Sequence, residues 1–484
     1  MSESKQKASK AKLFIENFVV YGVGGIISKI IPLLLLPVIT RLMPNTTYFG
    51  ISDLSNTVAS FGSALAVLGM YDAMYRMFFE ETGEVYKKKV CSTTCIFTVS
   101  MSLLVTIIMI VGQKNIAKYF FGDIKYAYLV YITAMTTLVT STNQIVAAPT
   151  RMQNKRKVFL VTNTVGPVLS YAISIPLILR GKYVIALPLA ALISGATMET
   201  AFWLLNRKWF EFKLFDKKIL KQLLLIAVPL FPNFLVYWIF NSSDKLMITN
   251  ILNVGEAGVY SIGAKLGHAS QLIYTAFAGG WQYFAFSTMN ETNQVISNSK
   301  VFEYLGAISF FCSVFVFAFS RLFYQVMFVG EYVAGYIVAP YLFLAPLMQM
   351  LFQVACNQFI VIKKTWPNMF ILLGGAVINV VLNLVLIPWI GIEGAAIATL
   401  IGYVCSDVIC CIVLSKMNLM IISKRFIFMI GLVFIYILIW RLLAIESTLI
   451  GFLLTCVTSA GIVFLYRKEV VYVLSKIKKR VSIH

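Results

Sequence analysis

The chain has 484 residues, 59% hydrophobic and 13% charged, with a mean hydropathy of +0.83 and a net charge of +21. That composition excludes a water-soluble fold. The positive excess reads as cytoplasmic loop charge that orients helices and touches anionic headgroups, so no nucleic-acid partner is expected.

The basic start (Lys5, Lys7, Lys10, Lys12) runs into an apolar segment too long for a signal-peptide core. It also lacks a small-residue cleavage site, so no cleavable signal is expected. Apolar stretches of about 20 residues then recur to the end, each long enough to cross ~30 Å of hydrocarbon. The sequence predicts fourteen spans, at 14–41, 47–76, 90–112, 125–148, 157–180, 183–206, 218–242, 255–286, 301–328, 333–362, 367–389, 392–415, 425–443 and 447–466. The fold class expected is therefore an all-α polytopic membrane protein. With both termini in the cytoplasm, inside segments hold 29 of the 41 Lys and Arg and outside loops hold 8. The other four (Lys29, Arg76, Lys265, Arg321) fall within spans. This contrast satisfies the positive-inside rule.

The first span plants Lys29 in the middle of VVYGVGGIISKIIPLLLLPVIT. An ammonium at that depth costs roughly 2.5–3.5 kcal/mol on insertion scales and is too deep to snorkel easily. Something anionic, or a water-filled cavity, should face it. Arg41, at the outer end of this span, either meets a cargo as it leaves or anchors the helix. In the second span, Asp53 suits the dipole of an outer N-terminus. Asp72 and Arg76 stand four residues apart near its inner end, a spacing for an ion pair that is structural or a cytoplasmic gate. Amides recur at depth: Asn143, Gln144, Asn163, Asn233, Asn357, Gln358, Asn379 and Asn383. Sugar hydroxyls and interhelical hydrogen bonds want them equally.

The longest internal basic loop, NRKWFEFKLFDKKILKQ (206–222), divides the chain into an N-lobe (1–206), a cytoplasmic linker (207–217), a C-lobe (218–415), and two further helices with a basic tail (416–484). The eighth span carries a second isolated lysine, Lys265, in GVYSIGAKLGHASQLIYTAFAGG. His268 follows one turn later, either as a proton acceptor during coupling or as an ordinary hydrogen-bonding residue. Asp407, in the twelfth span, is a candidate protonatable coupling acid. The eight cysteines form no CxxC pair and have no nearby histidine, so they read as packing residues and no metal site or cofactor is expected.

The two six-span blocks start alike. IPLLLLPVIT leads through a loop to YFGISDL, and AVPLFPNFLV leads through a loop to AGVYSIGAKL. Each has a helix with two close prolines (Pro32 and Pro37; Pro229 and Pro232), then a glycine-plus-aromatic start to the next helix (Phe49-Gly50; Gly258 to Tyr260). Repeats of six spans have parallel topology, as in alternating-access carriers.

These same residues carry a family resemblance. IPLLLLPVITRLMPNTTYFGISDL and VPLFPNFLVYWIFNSSDKLMITNILNVGEAGVYSIGAKLG, with Asp244-Lys245 before a Gly-Val-Tyr-Ser helix start, resemble Wzx-type polysaccharide repeat-unit flippases. Those belong to the multidrug/oligosaccharidyl-lipid/polysaccharide exporter superfamily. The resemblance implies two six-helix lobes in a V, with helices 1, 2, 7 and 8 lining a central cavity. It implies a cargo of oligosaccharide repeat units on undecaprenyl pyrophosphate, flipped from the inner to the outer leaflet of a bacterial cytoplasmic membrane. It implies coupling to an H+ or Na+ gradient, with cavity cations (Lys29, Lys265, Arg41, Arg76) meeting the pyrophosphate. Membrane lipids, a polysaccharide polymerase and glycosyltransferases are the further partners implied. The rival readings are a multidrug or toxin extruder of the same superfamily, expected to show acids in its cavity, and a flippase of the peptidoglycan precursor. No Walker A sequence, HExxH, nucleophile elbow or paired-carboxylate array occurs, and outside loops are short, which disfavours an enzyme.

Overall fold

A computed structural model describes residues 29–274, 277, 281, 285, 291–362, 364, 366–472 and 475. The basic N-terminal tail, the first half of span 1, much of the end of span 8 and the tail beyond 475 lie outside the described residues. No strand occurs among those described. The helices are α1 (residues 29–42), α2 (Thr46–Val67), α3 (Met70–Phe78), α4 (Glu84–Val111), α5 (Gln113–Phe120), α6 (Ala127–Met152), α7 (Arg156–Leu179) and α8 (Tyr183–Asn206). After them come α9 (Lys217–Ile251), α10 (Val254–Gly267), α11 (Gln294–Met327), α12 (Ala339–Val361), α13 (Trp366–Ile390), α14 (Ile392–Lys416), α15 (Lys424–Ile439) and α16 (Thr448–Leu465). Each of the fourteen expected spans meets helix among the described residues. Among the described residues, ten helices, or eleven when a bent pair is taken as one span, are long and apolar enough to cross a membrane.

The chain divides into two compact units, one comprising the described residues up to Ser261 together with Leu382–Ala395, the other those of Ile262–Val381 and from Ala396 onward. In the first unit α2, α4, α6 and α8 pack on one another. Met70, Met74, Met77, Cys91, Cys95, Trp209 and Leu223 fill one core, and Ile51, Leu54, Phe121 and Leu129 fill another. Small polar groups join helices where lipid offers no competing water: Ser55 and Thr133 share a hydrogen bond of 2.7 Å between α2 and α6. In the second unit the Tyr436 hydroxyl donates to the Val314 carbonyl at 2.8 Å, and Phe317 meets Trp440 edge-on at 4.9 Å. Arg425 pairs with Glu303 at 2.5 Å and Glu469 at 2.6 Å, tying α11, α15 and the segment after α16 together.

The second span is not one helix. Leu68 (φ 48°) and Gly69 (φ 75°) adopt left-handed conformations, and α3 leaves α2 at 47°. A side chain at Gly69 would meet the Ala227 carbonyl oxygen at 2.7 Å, so the joint is pressed directly against the backbone of α9. Broken helices at membrane depth persist where the freed backbone is buried in protein or lines a cavity.

Residues 207–216 form two 3-10 turns held on α4 rather than a loose strap. Lys88 pairs with Glu211 at 2.6 Å and Lys89 with Asp216 at 3.3 Å. The Glu211 and Asp216 amides donate to Ser92 and Thr93. Asp216 caps α9 by accepting from the amides of Lys218 and Ile219. The Lys218 amide, with Lys89, holds its carboxyl below the usual range.

Candidate functional site

The α2–α3 joint borders two cavities of the first unit. One, of about 230 Å³, is lined by Ser60, Ser63, Gly69, Asp72, Thr140 and Phe234 among others. The second, of about 420 Å³, is lined by residues that include Asn143, Thr150, Arg151, Phe159, Asn163 and Met198. Tyr71 and Gln144 line both. The sequence puts these groups together because α6 continues through Pro149 to Met152. Asn143, Gln144 and Arg151 thus project from one helix, the first two adjacent and Arg151 about two turns further on.

The site is polar and partly unsatisfied. Arg151 donates to the Tyr71 hydroxyl at 3.4 Å and stacks over the Phe159 ring at 4.9 Å, so its guanidinium is aimed before any ligand arrives. Gln144 donates to Ser63 at 3.3 Å, and the Asn163 amide is occupied by the Phe159 carbonyl at 2.8 Å. The buried Asn143 side-chain oxygen has no hydrogen-bond partner among the described residues. An orphaned acceptor beside a cavity calls for a donor such as a hydroxyl. Trp238 of α9 adds its indole N–H to Ser60 at 3.2 Å and packs on Phe61 at 4.5 Å.

A second polar cluster fastens α2, α9, α10 and α13. Lys245 pairs with Asp53 at 2.6 Å, with side chains 16% and 6% exposed. Its neighbour Asp244, 2% exposed, accepts from Tyr260 at 2.5 Å and from Asn383 at 2.7 Å. Beside this cluster, α2 and α10 touch backbone to backbone: a side chain at Gly50 would meet the Val254 carbonyl oxygen at 2.3 Å, and one at Gly258 that of Thr46 at 2.2 Å. The two glycine-plus-aromatic starts therefore lie face to face. Asp53 stands two turns inside α2 and acts as an ion-pair partner rather than a cap. Lys245 lies within α9, not in an outside loop, because that helix runs on to Ile251.

The predicted site residues fall in both units. Lys29 and Arg41 are exposed at the two ends of the described part of α1. Asp72 lines the smaller cavity. It and Arg76 are both exposed on α3, and no ion pair between them occurs among the described residues. Lys265 lies exposed in the last turn of α10, and His268 opens the 3-10 turn that follows; both hold interactions. Asp407 is 7% exposed on α14. Sequence reasoning missed Arg151, which it assigned to a cytoplasmic loop, and Tyr71. Asn143 was noted as an amide at depth, and the orphaned state of its oxygen appears only in three dimensions. Among the described residues no group of His, Cys, Asp and Glu could hold a metal ion.

The family described as "Polysaccharide biosynthesis protein" matches residues 14–289. Among solved structures, the chain is similar to the lipid II flippase MurJ in an inward closed conformation, with a TM-score of 0.68 at 14% identity, covering 93% of this chain and 100% of that one. It is also similar to an inward-facing multidrug resistance MATE family transporter of the MOP superfamily (TM-score 0.63, 14% identity, 81% and 98% covered). A MOP superfamily transporter from Pyrococcus furiosus, described as having a binding pocket of reverse polarity, matches with a TM-score of 0.56 at 14% identity (84% and 95% covered). At such identities the likeness establishes the fold. No curated protein sequence matches the chain.

Proposed function

Because the chain belongs to the polysaccharide biosynthesis protein family, we propose that it flips lipid-linked oligosaccharides, specifically repeat units on undecaprenyl pyrophosphate, from the inner to the outer leaflet of a bacterial cytoplasmic membrane. The observation that carries this reading is the amide-lined cavity of the first unit. Its buried Asn143 oxygen lacks a donor, and Gln144, Thr150 and Arg151 stand beside it. Sugar hydroxyls supply donors for the amide oxygen, and an aimed guanidinium suits a phosphate or carboxylate. Lys29, Arg41, Arg76 and Lys265 supply further positive charge toward the pyrophosphate. Alternating access between two six-helix halves moves the head group, with Asp407 or His268 taking up the coupling ion.

The two rivals part from this reading on chemistry. An extruder of cationic amphiphiles wants acids where this cavity presents Arg151. A peptidoglycan-precursor flippase shares the fold and differs in head group. The test is surface-polysaccharide export in a host that depends on this chain for it. Arg151→Ala should lower export at least tenfold at normal protein level, one lost charge-assisted contact being worth about 1.5–3 kcal/mol, and Asn143→Leu should lower it roughly two- to tenfold, a neutral hydrogen bond being worth about 0.5–1.5 kcal/mol. Arg151→Lys should retain part. Wild-type export by both the alanine and the leucine variants would defeat the proposal.

A further inference from the structure

The second unit encloses a cavity of which the transport reading draws on one lining residue, Asp407. It is formed between α11, α12, α14 and α15 and measures about 770 Å³. This lies within the roughly 300–1,000 Å³ range of pockets that take drug-sized molecules. Its walls are apolar and aromatic, with Tyr341, Phe426 and Phe434 among them, and it is open at a rim where Val408 and Phe434 are 50% and 68% exposed. One acid lines it. Asp407 is 7% exposed, and neither of its carboxyl oxygens has a hydrogen-bond partner among the described residues. At 1.5 Å per residue Asp407 lies roughly 22 Å along α14 from Ile392 and roughly 14 Å from Lys416, which is hydrocarbon depth. The other charged lining residue, Arg441, sits in the π-helical turn Trp440–Ala444 and has an interaction of its own.

An ionised carboxylate in apolar surroundings is costly until a counter-charge reaches it. Aromatic faces attract the same sign of charge through their quadrupoles. An acid at the wall and rings around it thus ask for one class of guest: a positive centre carried on a hydrophobic body. We propose that this cavity binds a lipophilic cation from the membrane, with Asp407 as its counter-ion. The inference does not rest on the flippase reading, since it concerns binding and no transport step enters it.

The test is equilibrium binding of radiolabelled tetraphenylphosphonium, a permanent lipophilic cation, to the full-length protein in neutral-detergent micelles. Saturable one-site binding above empty micelles is expected. Asp407→Asn should weaken it about tenfold or more, the fold-change of one charge-assisted contact. Val404→Trp, which puts a bulkier ring on the cavity wall, should weaken it too, and the uncharged analogue tetraphenylsilane should not compete. Unchanged affinity in Asp407→Asn, or displacement by the neutral analogue, would overturn the proposal and leave an apolar groove for acyl chains. So would the lack of saturable binding. Should Asp407→Asn not purify as a monodisperse protein, Val404→Trp and the neutral competitor decide: affinity unchanged by the tryptophan refutes the site.

Discussion

Removing one partner of the Asp53–Lys245 pair should be among the costliest single polar changes in the first unit. At 2.6 Å two unit charges attract by about 6 kcal/mol at an effective dielectric of 20. Most of that is offset by the water both groups lost. The asymmetry appears when only one is removed, because the survivor stays desolvated; fully buried cases cost about 3–5 kcal/mol. Lys245 retains 16% exposure, which lets it relax, so Asp53→Asn should cost about 3 kcal/mol, the low end of that range. Detergent-induced unfolding in mixed micelles measures it, followed by tryptophan fluorescence. Lys245→Met completes a double-mutant cycle, and the coupling between the two sites should be about 2 kcal/mol. A coupling below about 0.5 kcal/mol, the level of independent sites, would refute the claim that this pair clamps α2 to α9.

Other perturbations separate packing from transport. Gly258→Leu drives a side chain into the Thr46 backbone, which cannot swing aside as a flexible side chain would, and should destabilise by about 3 kcal/mol or more; a wild-type unfolding curve would contradict the close approach. Lys29→Ala should stop polysaccharide export with protein level unchanged, and Lys29→Arg should keep part of it; full export by the alanine variant would defeat the cavity-cation role. Asp407→Asn should lower transport and flatten its response to pH, and an unaltered pH profile would exclude Asp407 from coupling.

The helices were legible because hydrocarbon imposes a length of about 20 apolar residues, and each expected span meets helix. What escaped was set by partners distant in sequence. The stretch after residue 242 reads as a polar outside loop, yet α9 continues through it because Asp244 and Lys245 find Tyr260, Asn383 and Asp53. The helix break at Leu68 was invisible for the opposite reason: leucine gives no sign of a left-handed backbone, and only the neighbouring Gly69 hints at it. Arg151 was assigned to a loop because the expected span ends at residue 148, whereas α6 runs on through Pro149 to Met152, a proline within a membrane helix being tolerated. In the candidate site, the residue types were readable as amides at depth. Their convergence on one cavity depends on α3, α6, α7 and α8 meeting, which no spacing encodes.

The kink at Leu68 has a mechanical consequence. Each half of the second span keeps its own hydrogen-bond ladder, and the halves are moored differently. α2 is locked by the Gly50–Gly258 contact and the Asp53 bridge, and α3 rests on α4 and α9. A turn about Leu68 and Gly69 would therefore change the spacing of Tyr71 and Asp72 from Ser60 and Ser63, which line one cavity, without breaking either ladder.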